Sequence, residues 1–127
     1  ARAAAGCFHS VFIDGEGRLS SCGKESGQES GLTTGLLGHG EGVARLNTPT
    51  LLPSPLGGER AVSVSAGGYH SLALTGSGAT WSWGGGGDGQ LGHGDRQQQL
   101  LPKKVEAFAD QRVVAVSAGI AHSLAIT

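Results

Sequence analysis

The sequence predicts an all-β fold of repeated four-stranded blades, a partial β-propeller, on three observations. The first is composition. Glycine supplies 24 of the 127 residues, far above the roughly 7% of ordinary proteins, without the period of three that marks a collagen-like chain. An interior glycine costs a helix about 1 kcal/mol, so this density favours short strands joined by tight turns. The second is an internal repeat. Ala-Gly, two variable residues, His-Ser and then alternating apolar residues recur in AAGCFHSVFID, SAGGYHSLALT and SAGIAHSLAIT. The third is the step: the shared glycines Gly6, Gly67 and Gly119 stand 61 and 52 residues apart. Periods of that size belong to propellers and long arrays rather than to helical solenoids.

The second unit, 61–111, is expected to be a complete blade. AVSVS (Ala61 to Ser65) alternates and is rich in β-branched residues, so it reads as a strand. YHSLALT (Tyr69 to Thr75) is a second strand, GSG a turn and ATWSW (Ala79 to Trp83) a third strand. The glycine-rich loop GGGGDGQLGHGDRQQ follows, and Leu100 to Val105 is expected as an outer strand, where Pro102 is tolerable at a sheet edge. The first unit, 1–60, follows the plan less cleanly. GRLSSCG aligns with GATWSWG, placing Cys22 where Trp83 stands, and GLLGHG aligns with GQLGHG. TPTLLP is matched to QQQLLP, and the insert KESGQESGLTT is expected as an enlarged exposed loop. Three strands are expected here, an incomplete blade. The third unit, 112–127, starts a further blade with RVVAVS and the last His-Ser motif.

The ordered run WSWGGGGDGQLGHGD, then LLPKKV, then VVAVSAGIAHSLAIT resembles the repeat of the regulator of chromosome condensation family. The resemblance covers essentially the whole chain. It implies a seven-bladed propeller of about fifty residues per repeat. Cys22 departs from it where an aromatic is expected, so the first blade is expected to be looser there. Nine expected strands do not close a ring, and open blade edges imply a tendency to self-associate. An excerpt of a longer propeller is favoured, a reading the absence of methionine supports. A ring completed by three copies, with about 27 strands against 28 for seven blades, is the alternative.

The His-Ser pairs invite a catalytic reading, but neighbours on a strand point to opposite faces, and a nucleophile needs its base within hydrogen-bond reach. His9, His70 and His122, with Gly6, Gly67, Gly119 and Trp83, are therefore read as repeat framework, each histidine bonding backbone and each serine a neighbouring loop. No metal site is expected, since equivalent histidines of successive blades do not converge on one point. GGGGDGQLG contains G-x-G-x-x-G, yet HGDRQQQLLP after it shows no helix to hold a phosphate. DGEG is replaced by TGSG in the next unit and reads as a turn, and Gly23-Lys24 lacks the rest of a phosphate loop. No catalytic residue, cofactor or metal is therefore assigned.

Nine basic and ten acidic residues leave a formal charge of −1, which gives no nucleic-acid footprint. No apolar run reaches the roughly 18 residues of a membrane helix. Two cysteines make no disulfide framework, so an intracellular setting, cytoplasmic or nuclear, is expected. Loops that differ between repeats are the expected sites for a protein partner. They offer Lys24, Glu25, Gln28, Glu29 and Leu32 in the first unit, and Asp88, Asp95, Arg96 and Gln98 in the second.

The leading functional reading is a non-catalytic interaction scaffold within a larger protein or assembly. The resemblance implies two alternatives. One is guanine-nucleotide exchange on a Ran-type small GTPase, the activity of the family's founding member. The other is a propeller like the plant ultraviolet-B photoreceptor, which needs clustered surface tryptophans; only Trp81 and Trp83 occur.

Overall fold

The computed structural model describes residues 2–24, 35–40, 43, 45–53 and 56–127. Among the described residues ten strands form three antiparallel sheets. The first is a meander of β1 (Arg2–Ala5), β2 (His9–Ile13), β3 (Leu19–Lys24) and β4 (Arg45–Leu51). The second repeats it with β5 (Ala61–Ala66), β6 (His70–Thr75), β7 (Thr80–Gly84) and β8 (Gln99–Lys104). The third pairs β9 (Ala115–Ala118) with β10 (Ser123–Ile126). One 3-10 turn, Glu106–Phe108, follows β8. Among the described residues no helix is long and apolar enough to cross a membrane.

The sheets stack as blades, with β1 against β5 and β5 against β9 along one edge. Strand β6 is covered on both faces and all six of its residues are buried. That explains its near-continuous run Ser-Leu-Ala-Leu-Thr. Strand β2, covered on one face among the described residues, alternates between buried and half-buried positions instead. The core between the first two blades gathers Val11, Ile13, Leu19, Leu56, Ala61, Ala73 and Trp83, with Leu52, Val64 and Trp81 packed on it.

Three sequence readings need correction. The first blade is not incomplete: Arg2–Ala5 adds a strand ahead of the three expected, so the described strands number ten rather than nine. Arg-Ala-Ala-Ala carries no β-branched signal, and pairing with β2 (Ala3↔Phe12, Ala4↔Val11) overrides the poor propensity. The match of TPTLLP to QQQLLP is also displaced. Ser21 pairs with Thr50 and Ser82 with Lys103, and the Leu52 and Val105 amides bond the equivalent carbonyls of Leu19 and Thr80. Pro49 therefore corresponds to Pro102, and the shared Leu-Leu-Pro string is a coincidence of letters. The last strand of the second blade, finally, runs Gln99–Lys104, one residue earlier than the expected Leu100 to Val105. As a proposed division, 1–60, 61–111 and 112–127 leaves each sheet whole.

The β2–β3 and β6–β7 turns show why DGEG and TGSG are interchangeable. Asp14 Oδ1 accepts the amides of Glu16 and Arg18, and Thr75 Oγ1 accepts that of Ala79. Gly17 and Gly78 close the turns at φ 77° and 89°, a region other residues avoid. The following unit leans on each turn: the Ala61 amide donates to the Gly17 carbonyl and the Val113 amide to that of Gly78.

Candidate functional site

The His-Ser motif places two polar side chains on opposite faces of one strand, and stacking the blades brings unlike members together. His9 Nε2 lies 2.7 Å from Ser71 Oγ of the next blade, both side chains buried. Ser71 Oγ donates to the Leu36 carbonyl at 3.3 Å, and Trp83 Nε1 donates to the same oxygen at 3.1 Å. One repeat later, His70 Nε2 lies 2.8 Å from Ser123 Oγ, which donates to the Gln90 carbonyl at 2.7 Å. A hydroxyl carries one proton. Since each serine gives that proton to a carbonyl, the imidazole must donate from Nε2, which assigns the tautomer.

A second tier sits inside each blade. Ser21 Oγ donates to the Leu37 carbonyl and meets His39 Nε2 at 3.1 Å. Ser82 Oγ donates to the Leu91 carbonyl and meets His93 Nε2 at 2.9 Å. The two Gly-His-Gly turns are thus pinned to the third strand of their own blade.

The shared glycine completes the joint. A Cβ on Gly6 would collide with the Gly67 carbonyl oxygen and come within 2.9 Å of the His9 ring; one on Gly67 would collide with the Gly119 carbonyl. Each of the three glycine amides also donates to its own histidine's carbonyl at 2.8 Å (Gly6 to His9, Gly67 to His70, Gly119 to His122). The ring of His122 packs close on Gly119, but His122 itself is exposed.

The pairing of one repeat's histidine with the next repeat's serine was missed in the sequence, where only adjacent residues were compared. The signal that could have found it is the simultaneous recurrence of both residues at one spacing. Chemically the pair is a joint: the serine proton is committed to a carbonyl, and His9 and Ser71 are closed to a substrate. Among the described residues no group of His, Cys, Asp or Glu is arranged to hold a metal. The G-x-G-x-x-G run lies in the loop between β7 and β8, with no helix after it. Both tryptophans belong to the inter-blade core, Trp83 fully buried and Trp81 packed beside it, rather than to a surface cluster. Cys22, opposite Ser10 as Trp83 is opposite Ser71, is half-buried.

Burial pushes the His70 imidazole below its usual 6.5; the charge of His122 acts the same way and the His122 backbone opposes it. Burial, then Lys103, lowers His93, against Asp95, the Ser82 backbone and Glu106. The folded state therefore resists a proton that the unfolded chain takes up. The stability contributed by the neutral rings is expected to be complete above about pH 6.5 and to fall as the pH drops through the folded-state values. Urea midpoints at about pH 7.5 and about pH 5 check this; an unchanged midpoint would contradict it.

The exposed features are the tips of the repeat. Phe8, Tyr69 and Ile120, the variable residues between glycine and histidine, are all exposed. The Phe8 and Tyr69 rings lie 6.3 Å apart, and Lys24 Nζ stands 5.6 Å from the Phe8 centroid. Of the loop residues read from the sequence, Lys24 joins this face, while Glu25, Gln28, Glu29 and Leu32 lie outside the described residues. Asp88, Asp95, Arg96 and Gln98 are exposed in the loop between β7 and β8. The aromatic pair was not among the sequence candidates, although it varies within an otherwise fixed frame.

A family model described as regulator of chromosome condensation (RCC1) repeat matches residues 33–74 and 77–126, and a second of the same description matches 61–90. The RCC1 domain-containing protein RUG3, mitochondrial, of Arabidopsis thaliana is 39% identical over 122 residues, which cover 96% of this chain and 25% of that protein. The crystal structure of human WBSCR16 superposes with a TM-score of 0.84 at 25% identity, over 100% of this chain and 31% of that one. The structure of Prp20p from Saccharomyces cerevisiae, described together with its binding properties to Gsp1p and histones, gives 0.77 at 26% identity, over 98% and 30%. The chain thus spans about a quarter to a third of these relatives.

Proposed function

The chain belongs to the regulator of chromosome condensation (RCC1) repeat family, and from that premise we propose that it acts as a non-catalytic protein-interaction segment of a propeller. One observation carries the reading. The repeated polar residues are consumed in joints between blades, while Phe8 and Tyr69, at equivalent positions of the frame, meet at the surface with Lys24 beside the Phe8 ring. Such a frame fixes the spacing of a surface and leaves its chemistry free to change. The loop residues Asp88, Asp95, Arg96 and Gln98 extend the proposed contact area, and no cofactor or catalytic group is assigned. Two free cysteines support an intracellular setting.

The likeness to Prp20p, described with its binding to Gsp1p, supports guanine-nucleotide exchange on a Ran-type small GTPase as the second reading. The two are separated by mixing the chain with such a GTPase loaded with a fluorescent nucleotide. The scaffold reading expects the release rate to stay at its spontaneous value, and acceleration would replace it with the exchange reading. Proximity labelling should also lose its partner set when Phe8 and Tyr69 are both changed to Ser. The melting temperature should meanwhile hold, since neither ring is buried. A partner set indifferent to both changes would count against the turn face.

A further inference from the structure

The outer strand of each blade carries the same irregularity, and in the first blade that irregularity presents an unused hydroxyl. Ser21 pairs with Thr50 and Gly23 with Leu46, so Asn47, Thr48 and Pro49 stand opposite Cys22 alone. In the second blade Ser82 pairs with Lys103 and Gly84 with Gln99, which leaves Leu100, Leu101 and Pro102 opposite Trp83. Such a bulge takes its residues out of the ladder. Strands β4 and β8 are the last of their sheets, on the edge opposite the stacked β1, β5 and β9. Thr48 is exposed there. Its counterpart Leu101 is 42% exposed although the first blade reaches this segment, the Gly40 amide donating to the Leu100 carbonyl. The exposure therefore belongs to the bulge and persists with a blade packed on that side.

Two neighbouring threonines differ in what their hydroxyls do. That of Thr50 donates to the Thr48 carbonyl at 3.0 Å. That of Thr48 has no hydrogen-bond partner among the described residues. Pro49 follows Thr48; a proline holds the residue before it extended and carries no backbone N–H. Both features are readable by an enzyme. An extended acceptor fits an open cleft, and a pocket that offers the next amide no acceptor selects proline, because any other residue would bury an unpaired donor there. Thr50, followed by Leu51, lacks this signature.

We propose that Thr48 is a phosphorylation site for a proline-directed protein kinase. Thr48 Oγ1 attacks the γ-phosphorus of ATP, and the new O–P bond replaces the bond to the β,γ-bridging oxygen. ADP leaves with that electron pair, and the hydroxyl proton passes to the kinase's carboxylate base. The phosphate brings a charge of about −1.5 to −2 to the strand RLNTPTL, whose one charged residue is Arg45. The strand thus turns from positive to negative beside Lys24, which pairs with Arg45 across the ladder. No hydrogen bond of the described fold is lost in the transfer. The inference stands on the bulge and does not depend on the scaffold reading.

The test incubates the full chain with a proline-directed serine/threonine kinase and ATP, and locates the phosphate by mass spectrometry of its peptides. Transfer to Thr48 is expected at a rate within about tenfold of that for a free peptide copying Arg45 to Leu52, because a site that waits for local unfolding is slowed by its opening equilibrium. Thr48→Val and Pro49→Ala should each remove this label, and Thr50→Val should keep it. All three positions are exposed, so the variants keep the fold. Ser54, the other hydroxyl residue before a proline, lies outside the described residues, and the peptide map separates its phosphate from that of Thr48. Three results would overturn the proposal: no phosphate on Thr48, a label that survives Pro49→Ala, or transfer to the free peptide but not to the folded chain.

Discussion

Replacing Trp83 with alanine is expected to destabilise the protein by about 3–5 kcal/mol, the range for deleting a large aromatic from a packed core. The indole is fully buried in the cluster between the first two blades. Its removal strips contacts from both sheets at once and takes a donor from the Leu36 carbonyl, to which Ser71 also donates. Neither blade can close the space alone, because the joints on either side hold their separation. Trp81→Ala should cost less, since that ring is only partly buried. Urea denaturation of the two variants checks the order. A Trp83 variant within about 1 kcal/mol of the parent would mean that the blades repack freely.

Gly67→Ala is expected to be among the most damaging single-carbon additions, at about 3 kcal/mol or more, the upper part of the overpacking range. The new methyl would collide with the Gly119 carbonyl oxygen and stand 2.8 Å from His70 Cε1. A flexible side chain could swing away, but a carbonyl belonging to the next blade cannot, so relief requires the second and third units to part. Gly15→Ala is the internal control. A Cβ there meets nothing within 4 Å and the backbone carries no positive φ. Its midpoint should stay within about 0.5 kcal/mol of the parent, as exposed substitutions do. If both variants behave alike, the glycine of the repeat is there for something other than close approach.

Strands with a strong local signature were readable before any coordinates. Ala-Val-Ser-Val-Ser, the motif following His70 and the Trp-Ser-Trp strand all fall where alternation and glycine punctuation place them. Arg2–Ala5 was not readable, because its alanines have no preference for extended structure and the strand exists only through its pairing with β2. The fourth strands were misaligned for a related reason. Edge strands pack on one side, so few positions constrain them, and an identical tripeptide outweighed the proline that marks the true correspondence. The joints lay beyond a linear reading in a different way: His9 and Ser71 are 62 positions apart, and only the stacking angle of two blades decides that they meet. The residues that vary at the turn tips were visible as letters, but their meeting in one patch, Phe8 beside Tyr69 with Lys24 over the ring, depends on the same stacking.

The central claim is that the repeated histidine and serine form a joint between blades. A double-mutant cycle on His9→Ala and Ser71→Ala tests it most directly, because whatever else either residue touches cancels in the cycle. The joint predicts a coupling of about 1 kcal/mol in unfolding free energy, the contribution of one buried hydrogen bond. Costs that add within about 0.3 kcal/mol would mean that the two side chains stabilise their own blades separately, and would contradict the joint.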